Sequence, residues 1–104
     1  MNLVFHPEFP HDVARFSTRY SDISERLGLR FRQEVEDALA HIKSSPQSAG
    51  HYVNTGSQVI ESCRRRNLVS FPFFVLYAPL QDVVIVGKLT PSGSDPLTWL
   101  DRLK

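Results

Sequence analysis

A single cysteine, Cys63, stands among 104 residues, so no internal disulfide can form. Its isolation fits a reducing compartment, and the start of the chain shows neither the basic stretch nor the apolar core of a secretory signal. A cytoplasmic location is expected. No apolar run approaches the roughly twenty residues needed to span a bilayer, which argues against a membrane partner. Charge of one sign is also missing, since the net value is only +1, and composition alone therefore announces no polyanionic partner. There is no internal repeat, low-complexity tract or linker, so residues 1 to 104 are expected to form one domain.

Apolar residues make up 41% of the chain and seven of them are phenylalanines, which fits an ordered globule rather than a disordered segment. Charge is uneven: residues 1 to 50 carry net −1 and residues 51 to 104 net +2, so the positive field belongs to the second half.

LVF at residues 3 to 5 reads as a short strand ended by Pro7. Phe9, Val13, Phe16 and Tyr20 then recur at helical spacing, with Glu8, Asp12, Arg15 and Arg19 expected to face elsewhere. Asp22 and Glu25 have the spacing of a capping box for a second helix, whose stripe runs through Ile23, Leu27, Phe31, Val35, Leu39 and Ile42. Gly28 weakens that helix near its start. Pro46 and Gly50 in SSPQSAG end the hairpin.

From residue 59 the pattern changes. VIESCRRRNLV, FFVLYA and VVIVGKL are rich in β-branched and aromatic residues, and PLQD supplies a turn between the last two. Three successive strands with short connections predict an antiparallel meander. DPLTWLDRLK reads as a short C-terminal helix with Asp95 as N-cap and Pro96 at its first position. The expected fold class is α+β, with an N-terminal strand and a helical hairpin packed on a small, mostly antiparallel sheet.

Strand alternation puts Phe71, Phe73, Val75 and Tyr77 on one face and Phe74 and Leu76 on the other. The next strand divides as Val83, Ile85 and Leu89 against Val84 and Val86. Both faces are apolar, as in central strands, and the hairpin covers only one of them. The second face is expected either to leave an apolar patch for a partner or to be closed by Trp99 and Leu100.

The same alternation separates the three arginines, with Arg64 and Arg66 on one face and Arg65 on the other. Arginine suits phosphate or an acidic partner through its planar fork; the competing reading is a blunted sheet edge or pairing with Glu61 and the helix acids. The histidines His6, His11, His41 and His51 have no metal-ligand spacing, so no metal or cofactor is expected. Cys63 reads as a small core residue despite its arginine neighbours, and Tyr77 as a core tyrosine.

These segments together carry a resemblance. VFHPEF, RFRQEVEDALAHIKSSP, RRRNLVSFPFFVLY, VVIVGKL and DPLTWLDRL, in this order, resemble the RelE/ParE superfamily of bacterial type II toxin–antitoxin toxins, also called plasmid stabilisation proteins, over nearly the whole chain. The resemblance implies a toxin neutralised by a cognate antitoxin in a toxin–antitoxin hetero-oligomer. It further implies a target reached through basic side chains: DNA gyrase for ParE-like members, mRNA in the ribosome for RelE-like ones. Carried onto this chain, the target-binding candidates are Arg64, Arg65, Arg66, Lys88, Trp99 and Arg102. The chain departs from the family where many members hold His and Arg before the final Asp-Pro, for here the stretch is Thr90-Pro91-Ser92-Gly93-Ser94, and Ser70 stands where a basic residue is common. A ribonuclease needs groups that move protons and neutralise a phosphorane, and this stretch supplies none. The reading preferred is a ParE-like gyrase inhibitor without chemistry of its own. The alternatives are a RelE-like mRNA endonuclease and a degenerate, non-toxic member that keeps antitoxin binding.

Overall fold

In the computed structural model, residues 2 to 52 and 63 to 93 are described. Their elements run β1 (Asn2–Phe5), α1 (Phe9–Ile23), α2 (Glu25–Ser44), β2 (His51–Tyr52), β3 (Arg64–Asn67), β4 (Phe73–Pro79) and β5 (Val83–Pro91). The architecture is α+β, as expected. The sheet has the order β1-β5-β4-β3-β2. Strands β2 to β5 pair antiparallel in sequence, whereas β1 joins β5 in parallel. That parallel contact is possible because the whole helical hairpin lies between the two strands in the chain and provides the crossover. The expected C-terminal helix, with Trp99 and Arg102, lies outside the described residues, as does the stretch from Val59 to Ser62.

Helix α1 starts with Pro10 in its first turn, where a missing amide hydrogen costs nothing. Its stripe is the expected one: Phe9 and Phe16 are buried, with Val13 and Tyr20 packed beside them. Asp12 departs from expectation. It is 2% exposed rather than turned outward, because its carboxylate is engaged by the sheet.

The expected boundary between the helices also shifts. Helix α1 runs on to Ile23, Ser24 breaks the path with an extended backbone (φ −161, ψ 131), and no side-chain cap forms at either helix start. Asp22 is thus a residue of α1 and not a cap, and Ile23 is 75% exposed instead of opening the α2 stripe. A one-residue joint forces the helices close together. Gly28 serves that approach, since a Cβ there would stand 1.9 Å from Ser21 Oγ.

Phe31, Val35, Ala38 and Ile42 of α2 join Phe71, Phe73, Val75, Tyr77, Val84, Val86 and Leu89 in the core between hairpin and sheet. Phe31 meets the Phe71 and Phe73 rings edge-on with centroids 5.1 Å apart in each case, and Tyr20 meets Phe71 at 4.7 Å. Such pairs add roughly 0.5–1.5 kcal/mol each beyond the area they bury.

All of β4 is buried, which marks it as the central strand the double-sided apolar pattern anticipates. On the second face Cys63, Phe74, Leu76 and Ala78 form a smaller cluster with Ile85 beside it. Phe74 and Leu76 have no exposed surface, so the uncovered patch considered for this face is not found there. One residue changes sides. Leu89 belongs to the hairpin core with Val84 and Val86, not with Ile85. The register steps from Leu76↔Lys88 to Tyr77↔Val86, giving β5 one extra residue at Gly87, and a bulge of that kind reverses the alternation beyond it.

Candidate functional site

The arginine strand β3 is placed one strand in from the edge, between β2 and the central β4. Its register sets Arg64 opposite Tyr77, Arg65 opposite Leu76 and Arg66 opposite Val75. Directly opposed residues share a face, so Arg64 and Arg66 lie on the hairpin side with Tyr77, and Arg65 lies on the other side with Leu76. The expected division of the three arginines holds, and it gives them different partners.

Arg64 donates to the Gly50 carbonyl at 3.0 Å and Arg66 to the Ala49 carbonyl at 2.8 Å. The Tyr77 hydroxyl donates to the Pro46 carbonyl at 2.9 Å. Three side chains from two neighbouring strands therefore tie down the segment that leaves α2. That segment passes so close to β3 that a Cβ at Gly50 would stand 2.4 Å from the Arg65 carbonyl oxygen and 2.9 Å from the Tyr77 hydroxyl. Gly50 is there because nothing larger fits. Carbonyl oxygens after a helix need donors, and cationic donors meet that need strongly.

Burial pushes the Tyr77 hydroxyl above its ordinary pKa, against the opposing pull of the Arg64 and Arg66 charges. Burial alone pushes the Cys63 thiol up to about 12. Both groups are core residues, in keeping with the sequence reading, and neither is presented as a nucleophile or proton donor at neutral pH.

Arg65 is placed differently. Its guanidinium lies 4.0 Å from the centroid of the Phe74 ring and donates to Asn67 Oδ1 at 3.1 Å. Leu76 pairs with Arg65 on one side and with Lys88 on the other, so Arg65 and Lys88 share the face away from the hairpin, two strands apart. Strand spacing puts their backbones about 10 Å from each other. Of the six sequence-derived candidates, the structure thus groups Arg65 with Lys88 and sets Arg64 and Arg66 apart; Trp99 and Arg102 lie outside the described residues.

Ser70 takes part in a second arrangement that the sequence did not signal. Its amide donates to Glu34 at 2.8 Å, and its hydroxyl accepts from Arg30 at 3.1 Å. This fastens the β3–β4 connection to α2 and leaves Val69 projecting beside it, 87% exposed. Between α2 and β3 runs a groove of about 290 Å³ to which Glu34, Asp37 and His41 contribute from the helix and Arg66 and Asn67 from the strand. No group of three metal-ligating side chains occurs among the described residues. Nor is any helix among them long and apolar enough to cross a membrane.

No protein-family model matches the chain, and no curated protein matches it in sequence. Among solved structures, it is similar to a chain described as "Chromosomal ParDE TA system from P. aeruginosa", at 16% identity and a TM-score of 0.70, over 88% of this chain and 95% of that one. A likeness of that breadth at so low an identity is one of backbone architecture. The strand, helical hairpin and mostly antiparallel sheet of this chain are a ParE-like fold.

Proposed function

We propose that this chain is the toxin of a type II toxin–antitoxin module, of the ParE kind, which arrests growth by binding DNA gyrase and is neutralised by a cognate antitoxin. The observation that carries the reading is the ParE-like fold itself, shared over 88% of the chain with a component of a toxin–antitoxin system. The disposition of the polar side chains supports binding over chemistry. Arg64 and Arg66 are committed to backbone carbonyls, and the Cys63 and Tyr77 protons are held by burial. On this reading Arg65 and Lys88 are the sheet's contacts to an acidic surface of the target, with Trp99 and Arg102 as further candidates.

The pairing of Arg65 with Lys88 on one face also favours a second reading, RelE-like cleavage of mRNA. Two cations about 10 Å apart on a sheet suit successive phosphates of a single strand. Pulse-labelling of DNA and protein synthesis minutes after inducing this gene alone in a bacterial host separates the two. Early loss of DNA synthesis with translation continuing supports gyrase poisoning. Early loss of translation supports mRNA cleavage, and loss of neither supports a non-toxic member that keeps only antitoxin binding. Co-expression of the antitoxin encoded beside the gene is expected to relieve either arrest.

A further inference from the structure

We propose that the outer stripe of α1, centred on Arg15 and Arg19, binds the phosphate backbone of nucleic acid. Both guanidinium groups rest on one ring: Arg15 Cζ lies 4.7 Å and Arg19 Cζ 5.3 Å from the centroid of Phe16. That ring is buried and is held in turn by an edge contact to Phe73 at 4.8 Å, so the two cations stand on a fixed base. Their charge is largely unspent. Among the described residues Arg15 has only Asp12, 3.7 Å away, and that carboxylate is 2% exposed and already accepts the Leu89 amide. Arg19 pairs with no carboxylate among the described residues, Asp22 included. Like charges four residues apart on a helix destabilise it, and an anion bridging the two relieves the repulsion.

The stripe has its own side of the molecule. Ser21 marks where α1 meets α2 and Asp12 where it meets β5; Arg15 and Arg19 lie beyond Asp12, away from α2, with exposed His11 one turn before them. Arg65 and Lys88 are across the sheet, so the stripe is no extension of that pair. The net charge of +1 conceals it, because the acids Glu34, Glu36 and Asp37 belong to α2. The chemistry of the face selects phosphate over an acidic protein. A protein interface is built around an apolar centre, and from His11 to Arg19 helix α1 exposes no large apolar side chain. Nucleic-acid interfaces are instead polar and strongly cationic. Arginine forks give parallel hydrogen bonds to phosphate oxygens, and resting on Phe16 reduces the freedom the two side chains lose in forming them. Exposed His11 and Thr18 add polar groups of the kind that also meet phosphates. With two charges at its centre, the contact is weak and independent of base sequence.

The test uses the purified full chain and a fluorescently labelled short duplex DNA of arbitrary sequence, read by anisotropy over a range of salt. Growth arrest does not enter it, so this inference and the toxin reading fail separately. Wild type is expected to bind with a Kd on the order of 10⁻⁵–10⁻⁴ M at physiological salt, and log K should fall with log salt at a slope of about −2. Arg15→Met and Arg19→Met are each expected to reduce that slope by about 1, and the double variant to bind no better than background. Arg65→Met combined with Lys88→Met, across the sheet, is expected to leave it unchanged. Should the α1 variants fail to fold, chemical-shift mapping of wild type decides: the DNA is expected to move the amides of α1 around Arg15 and Arg19 and not those of β3. Wild type that binds no DNA even at low salt overturns the proposal, as does binding that survives the α1 double variant or is lost with Arg65 and Lys88. An oligoglutamate of equal charge that displaces the DNA equally well assigns the stripe to an acidic protein and overturns it too.

Discussion

The Asp12 carboxylate accepts the backbone amide of Leu89 at 3.1 Å, joining residues 77 positions apart in the chain. This one buried contact fastens α1 to β5 just beyond the Gly87 bulge. Arg15, which approaches the same carboxylate at 3.7 Å from the helix surface, is largely exposed and adds little.

Asp12→Ala is expected to leave the Leu89 amide without this buried acceptor, at a cost of about 1–3 kcal/mol. For a chain of this size that lowers the melting temperature by roughly 4–8 °C per kcal/mol. Asp12→Asn keeps an acceptor oxygen at the site and should lose less. Thermal unfolding of the three proteins checks the order; equal stability of Asp12→Ala and wild type would show the contact to be dispensable.

Gly28→Ala tests the close approach of the two helices. Helix propensity favours alanine by up to ~1 kcal/mol. The new Cβ would stand 1.9 Å from Ser21 Oγ and 2.9 Å from Ser21 Cβ, and overpacking of that kind costs about 1–3 kcal/mol. The clash is expected to win. Adding Ser21→Gly should return part of the loss, and a double-mutant cycle in urea measures the coupling.

The arginines are expected to separate by role. Arg64→Met and Arg66→Met each remove a cationic donor from a carbonyl of the segment after α2, lowering stability by about 1 kcal/mol or more. Arg65→Met loses chiefly its contact with Phe74, worth about 0.5–1 kcal/mol where partly exposed. Its larger effect should be on growth arrest, measured at matched levels of soluble protein. Undiminished arrest with Arg65→Met and Lys88→Met combined would remove both from the proposed target contacts.

Alkaline pH is expected to destabilise the fold in a definite window. In the native chain, burial raises the Cys63 thiol from 9.0 to about 12 and raises Tyr77 above 10.0. Below the unfolded values both states hold these protons and nothing changes. As pH rises through about 9 and beyond, the unfolded chain releases protons that the native chain retains, so stability falls, by at most ~1.4 kcal/mol per pH unit for each group. Urea midpoints from neutral pH to about pH 10.5 should show the decline. Cys63→Ala should flatten its onset, and the native thiol should resist alkylating reagents until the chain is unfolded.

Much of this protein was legible from local pattern. The stripe from Phe9 to Tyr20, the α2 stripe beyond Leu27, and the double-sided apolar strand from Phe73 all follow from the periods of helix and strand, which belong to the backbone and need no distant partner. The separation of Arg65 from Arg64 and Arg66 follows from the same alternation. The helix boundary was not legible, because Asp22-Glu25 has the spacing of a capping box while Ser24 makes the break. The side of the sheet that Leu89 faces was hidden by the bulge, since one extra residue on β5 reverses every assignment after it.

What the tertiary structure alone decided is which polar groups are occupied. Asp12 sits between residues of a stripe that reads as amphipathic, and only the arrival of β5 makes it a buried acceptor. Arg64 and Arg66 are open in sequence to a phosphate-binding or a structural reading, and the carbonyls of Ala49 and Gly50 reach them because Gly50 lets the chain pass against β3. Strand β1 reads the same as a sheet interior or an edge, and its parallel pairing with β5 leaves it an edge. Periodicity is set by neighbours in the chain. Occupancy is set by segments tens of residues away, whose approach no local pattern encodes.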